Sequence, residues 1–242
     1  MTMDCWAAVL GDCAGGLSRE HYISDGIFDG EAITAYGLEW CKDQPIQISL
    51  ASAVSKILCK RHNERFSPFD AEAAKLSRFL SANVLDDPLS EAQITLRGYR
   101  LEKWALKTFL NLGYIGGLDP EHHARLKPRE DLVRYLFQET QAPKGIGLYF
   151  VTGAVSNAKF NVGLSWNAIR NLSRDGAIAG MTFTLNDVRF VVSAEEGPAE
   201  HRLAKIGLVN GVDYSRAKIY YRPHNIALLS KTAGQKTIAL EW

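Results

Sequence analysis

Hydrophobic positions along this chain follow three regimes. From Cys5 to about Ile57 they come in short runs, such as Tyr22-Ile23 and Ile46-Gln47-Ile48, punctuated by glycines at 11, 15, 16, 26, 30 and 37. Runs of that length bounded by glycine predict short strands and loops. A helix is then predicted from Ser67-Pro68-Phe69-Asp70, which offers a capping serine, a proline at the first helical position and an acid in the first turn. Phe69, Ala73, Leu76 and Leu80 follow at spacings of 4, 3 and 4 and form one apolar stripe.

Asp86-Asp87-Pro88 breaks that pattern and places a linker near residues 83–93. Leu101, Trp104, Ala105, Phe109 and Leu112 then predict a second amphipathic helix, and Leu132, Val133, Leu136 and Phe137 a third after Pro128. From Gly145 the texture becomes β-branched and aromatic, as in Leu148–Val151, Met181–Leu185, Val188–Val192, Ile219–Tyr221, Ile226–Leu229 and Lys236–Leu240. Asn186-Asp187 sits where a hairpin turn belongs. The expected fold class is therefore α+β: an N-terminal strand, strand, helix unit over residues 1–85, then residues 94–242 as a helical connector with a mainly antiparallel β C-terminal region.

Composition supports a folded chain: 242 residues with 46% hydrophobic side chains can bury a substantial core. No apolar run approaches the roughly 18 residues of a membrane span, and the N-terminus does not read as a signal peptide, so a cytoplasmic protein with no membrane partner is expected. The net charge of +1 conceals an asymmetry, with residues 1–90 at −5 and the remainder at +6. A nucleic-acid ligand would have to draw much of its phosphate neutralisation from the second part.

All four cysteines, Cys5, Cys13, Cys41 and Cys59, lie in the first quarter of the sequence. Without a secretory signal such residues are expected as thiols or metal ligands rather than disulfides. Cys59 and His62, with two residues between them, have the bite of a zinc knuckle. Cys5 and Cys13 can complete a tetrahedral Cys3His site, with Cys41 as the substitute ligand. Each cysteine taken singly also reads as a small buried hydrophobe. Glu20-His21, at the end of a short predicted strand, would send a carboxylate and an imidazole to opposite faces.

This order, cysteines, then Ser18-Arg-Glu-His-Tyr-Ile-Ser24, then Leu58-Cys-Lys-Arg-His-Asn63 opening a helix, resembles the HNH endonuclease superfamily with its ββα-metal fold. The resemblance covers roughly residues 5–82. It implies a structural Zn²⁺ on Cys5, Cys13, Cys59 and His62, and a catalytic Mg²⁺ or other divalent ion held by Glu20 and Asn63. His21 would be the general base that takes a proton from the attacking water. Lys56, Lys60, Arg61 and Arg65 around the second knuckle would contact phosphates, with DNA ahead of RNA as the partner; each also reads as an ordinary solvated charge.

The chain departs from the family pattern at Val54, where an orienting asparagine is usual; Ser55 stands beside it. A second mapping makes Asn63 the orienting residue and Asp70 the last metal ligand, while the plainer role for Asp70 is an acid at a helix N-terminus. His122-His123, Trp166, His201, His224 and Gly145-Ile-Gly147 form no recognisable catalytic spacing, and Trp104 and Phe109 read as core. Three functional readings stay open: an HNH endonuclease, a zinc-stabilised module that binds nucleic acid or protein without turnover, and an enzyme whose active site lies in the β region.

Overall fold

The structure is a computed structural model that describes residues 5–36, 38, 41, 43–81, 91–119, 125–138, 142–152, 155–156, 164–170, 177–186, 188–196, 208–209, 212–213, 217–229 and 235–242. It is a mixed α+β protein. Strand β1 (Leu17–His21) is followed by the hairpin β2 (Ala32–Ala35) and β3 (Ile46–Ser49), then by β4 (Val54–Cys59), helix α1 (Lys60–Glu64) and helix α2 (Ser67–Ser81). β1 and β4 pair antiparallel, with Leu17 opposite Cys59, Glu20 opposite Ser55 and His21 opposite Val54, across a bulge between Ser18 and Glu20. The residues between the two strands fold out as the separate β2–β3 pair, so partners some forty residues apart in sequence lie side by side.

The periodicity places α2 correctly but its start differs from expectation. The carbonyl of Phe66 accepts the first helical bonds, from the N–H groups of Phe69 and Asp70 at 2.9 and 3.0 Å. Ser67 is already inside the helix, and its hydroxyl donates backwards to the Glu64 carbonyl at 3.0 Å. The cap position therefore falls on an apolar residue with 0% exposure, held by the core rather than by a polar side chain.

Strand β5 (Glu91–Arg97) leads into α3 (Gly98–Tyr114), followed by α4 (Glu130–Phe137). The expected linker near 83–93 thus already contains the start of β5, and residues 82–90 lie outside the described residues. From Leu101 to Gly113 every residue of α3 is buried, polar ones included. A helix buried all round belongs at the centre of a protein. Trp104 and Phe109, read as core, are 2% and 0% exposed.

The remaining strands are β6 (Gly147–Thr152), β7 (Val155–Ser156), β8 (Leu164–Arg170), β9 (Ile178–Leu185), β10 (Val188–Ser193), β11 (Leu208–Val209), β12 (Val212–Asp213), β13 (Lys218–Tyr221), β14 (Asn225–Leu229) and β15 (Gln235–Glu241). Five of them form an antiparallel sheet in the order β13-β6-β10-β9-β8, whose Phe183 meets Trp104 of α3 edge to face at 5.6 Å. Leu185 pairs with Val188 across a two-residue connection, and Asn186 there has φ +44°, the left-handed conformation that tight hairpins require. A three-stranded sheet β14-β15-β5 is mixed, because β15 runs parallel to β5, with Ile94 opposite Ile238 and Leu96 opposite Leu240. The strands β11-β12-β7 form a further antiparallel sheet.

One hydrophobic cluster runs from Trp6, Leu58 and Phe66 through Trp104, Phe109 and Phe137 to Phe183, Val192 and Leu240. The segments on either side of the expected linker share it. A buried polar knot ties the same elements: Glu102 on α3, 0% exposed, accepts from Arg222, from the Tyr135 hydroxyl and from the Leu148 N–H. Arg222 meets both carboxylate oxygens, at 2.9 and 2.7 Å, so the charge of Glu102 is compensated inside the core.

Candidate metal centre

The segment before β1, which carries Cys5 and Cys13, meets the β4–α1 junction, which carries Cys59 and His62, at four ligand atoms. The Nδ1 of His62 lies 3.2 Å from the sulfur of Cys59, 3.4 Å from that of Cys5 and 3.7 Å from that of Cys13. All four ligand atoms lie within 4.8 Å of one another. A tetrahedral zinc with bonds of about 2.3 Å to sulfur and about 2.0–2.1 Å to nitrogen separates the two kinds of ligand by about 3.5 Å. The cluster therefore fits a metal ion such as zinc. Among the described residues, it is the group of three or more metal-ligating side chains placed for this. Cys41, the substitute ligand, is buried, 2% exposed, and is not a member of this group.

Backbone geometry brings the ligands together. The Trp6 N–H donates to the Ile57 carbonyl at 3.0 Å and the Lys60 N–H to the Gly16 carbonyl at 2.9 Å, so the segments carrying Cys5 and Cys13 are tied to β4 and α1. Gly15 has φ +80°, and a Cβ there would lie 2.9 Å from the Cβ of Lys60; glycine permits both the turn and the approach. The N–H groups of His62 and Ala14 point at the sulfur of Cys59, those of Cys59 and Ala7 at the sulfur of Cys5.

These bonds separate the thiols chemically. Burial pushes the Cys59 thiol up, but the surrounding hydrogen bonds outweigh it and hold the thiol below its ordinary range. Burial dominates at Cys5, which is raised, and at Cys13, where burial and the neighbouring cysteines push the thiol up to about 12. Three thiols converging without a cation oppose one another's ionisation; a bound metal removes that opposition.

Asp12, which the sequence reading did not single out, completes the site. Its Oδ1 lies 2.8 Å from Nε2 of His62, leaving Nδ1 to face the sulfurs. The hydrogen bond from His62 is the main reason the Asp12 carboxyl is held below its usual range, helped by Arg61 and Arg65. A carboxylate behind a ligating histidine fixes the ring orientation and tautomer. Phe137 of α4 covers the imidazole at 4.8 Å and packs on Phe66 at 4.7 Å, so part of the expected connector seals this centre.

The residues assigned by resemblance to a catalytic divalent ion are disposed differently. The alternation predicted for Glu20-His21 holds, with Glu20 buried and His21 half-buried on β1. Glu20, 3% exposed, meets Lys107 Nζ at 2.7 Å and accepts from Asn111 Nδ2 at 3.2 Å. Burial raises its carboxyl, against the ammonium of Lys107. Asn63 donates instead to Ser18 Oγ at 3.0 Å and to the Arg19 carbonyl at 3.5 Å. Asp70, the alternative ligand, accepts from Lys107 at 2.8 and 3.0 Å and from the Ser24 hydroxyl. Glu20 and Asp70 are thus engaged by Lys107, while Asn63 uses its Nδ2 towards β1, and this geometry lends no support to a catalytic Mg²⁺. Lys107 and Asn111 could not be assigned from sequence, since Glu20 lies about ninety residues from both and Asp70 is 37 from Lys107.

Of the basic residues, Lys56 is exposed on β4. Lys60 is 3.8 Å from Glu64 with both side chains 66% exposed, and Arg61 lies 3.2 Å from Asp12. Arg65 stacks on the Phe137 ring at 5.2 Å and donates to the Phe137 carbonyl. Arg19, a further exposed cation on β1, donates to the Ala51 carbonyl at 2.8 Å. In the β region, Trp166 Nε1 donates to the Gly117 carbonyl at 3.1 Å, and His224 is exposed. His122-His123 and His201 lie outside the described residues.

No family model matches the chain, and neither the curated proteins nor the solved structures provide a match. No helix among the described residues is long and apolar enough to cross a membrane.

Proposed function

We propose that Cys5, Cys13, Cys59 and His62 hold one structural zinc ion, and that the HNH-like unit built on it engages nucleic acid without turnover. The convergence of three thiols and an imidazole, backed by Asp12, carries this reading. Four protein ligands close a tetrahedral site and leave no position for a reacting water. Zinc here would fix the β1–β4 pair against the start of α1 and so hold Arg19, Lys56, Lys60, Arg61 and Arg65 in one region, where exposed cations meet phosphates. Duplex DNA is the first ligand to test, then RNA. Affinity of the zinc-loaded chain should fall steeply with salt, and Lys56→Ala with Lys60→Ala should weaken it evenly across sequences. Absence of binding at low salt would sink the nucleic-acid assignment.

A second reading is an HNH endonuclease with His21 as general base. It is favoured by the half-buried position of His21 as the last residue of β1 and by the strand, strand, helix order along the chain. Metal-dependent cutting of DNA or RNA that disappears in His21→Ala, with zinc content unchanged, would establish it over the first.

A further inference from the structure

The two carboxylates that the alternative family mappings assign to a divalent ion, Glu20 on β1 and Asp70 on α2, face a single cation belonging to the chain itself. Lys107 of α3 is 1% exposed on its side chain, and its Nζ lies 2.7 Å from Glu20 Oε1 and 2.8 and 3.0 Å from the two oxygens of Asp70. The shell around them is built. Asn111 donates to Glu20 at 3.2 Å while its own oxygen accepts from Trp6 Nε1 at 3.0 Å. Ser24 donates to Asp70 and accepts from Trp104 Nε1 at 2.9 Å. The Phe66 ring lies 5.4 Å from the ammonium.

We propose that Lys107 is a resident substitute for a divalent cation, its ammonium holding β1, α2 and α3 in the relation that an ion between Glu20 and Asp70 would otherwise impose. Two carboxylates and one ammonium leave a net charge of −1, which Asn111 and Ser24 spread through hydrogen bonds; a divalent ion in the same place would neutralise both acids. One ammonium N–H can serve Glu20 while another is shared between the two oxygens of Asp70, so both carboxylates converge on the same nitrogen. In the wild-type chain the position takes no metal. Removing the ammonium while keeping the volume exposes a two-carboxylate, oxygen-rich pocket of the kind that Mg²⁺ or Mn²⁺ accepts. The inference rests on Glu20 being structural, and it is independent of whether the cysteine cluster holds zinc.

The test is binding of Mn²⁺ and Mg²⁺, by calorimetry and by melting temperature, to wild type, Lys107→Met, Lys107→Gln and Lys107→Met with Glu20→Gln. Zinc content is measured in every sample, so loss of the zinc centre is seen separately. Wild type should bind neither ion at this position and its melting temperature should not move. The single Lys107 variants should melt lower and recover in Mn²⁺, or refold only in its presence, and the double variant should not recover. Binding of Mn²⁺ by wild type that Glu20→Gln abolishes would overturn the proposal. So would failure of both single variants to gain from either ion.

Discussion

Nε2 of His62 meets Oδ1 of Asp12 at 2.8 Å, while Nδ1 of the same ring faces the sulfurs of Cys59, Cys5 and Cys13 at 3.2, 3.4 and 3.7 Å. One imidazole thus joins a buried ligand cluster to a carboxylate at its edge, and the carboxylate decides which nitrogen carries the proton. Asp12→Ala should lower zinc affinity about 10–100-fold, as loss of such a partner does elsewhere, with little change in far-UV circular dichroism. Competition with a chromophoric chelator measures this; unchanged affinity would remove Asp12 from the site.

Acid and alkali should act on the centre in opposite ways. Zinc binding needs the thiolates, so retention of the ion should decline as pH falls and the cysteines protonate. In the zinc-free, reduced chain Cys13 is raised from 9.0 to about 12. A thiol raised by folding favours the folded state while both states keep the proton, and that contribution is lost as pH climbs from about 9 towards 12. Melting of the zinc-free chain should therefore weaken across this window more than that of the loaded chain. Equal slopes would mean that the thiols do not titrate as their surroundings dictate.

Glu20→Ala should destabilise the fold by about 1–3 kcal/mol, because it removes the buried acceptor shared by Lys107 and Asn111, although Lys107 keeps Asp70. His21→Ala, on the other face of the same strand, should cost far less. Urea unfolding of the two variants compares them directly. A mild Glu20→Ala would show that the carboxylate does not hold β1 against α3.

The knot around Glu102 has its own sensitive point. Gly147 has φ +137°, and a Cβ there would lie 2.2 Å from Glu102 Oε2. Gly147→Ala must strain the backbone, at about 1–3 kcal/mol, and also displace a carboxylate bound to Arg222. A loss below about 0.5 kcal/mol in urea unfolding would contradict this geometry.

Much of this arrangement was legible in the sequence. The Cys59-x-x-His62 bite, with Cys5 and Cys13 as the second pair, found all four members of the cluster, because ligand spacing is a local property of the backbone. The stripe from Phe69 to Leu80 found α2 and that from Leu101 to Leu112 found α3. The β-branched run at 188–192 and its neighbour at 181–185 became β10 and β9. What stayed hidden depends on distant partners. Nothing local to Lys107 shows that its ammonium meets Glu20, and nothing near residue 91 announces a parallel pairing with β15 at the far end of the chain. The acid-histidine pair suggests a second metal site because a motif records which donors are present and not that Glu20 faces Lys107.

The most direct test of the central claim is zinc content per chain, by mass spectrometry of metals, for wild type, Cys59→Ser and Cys41→Ser purified under reducing conditions. The account predicts one zinc per wild-type chain, its loss with a lowered melting temperature in Cys59→Ser, and its retention in Cys41→Ser. Wild type that takes up no zinc, or Cys59→Ser that holds zinc and melts like wild type, would contradict it.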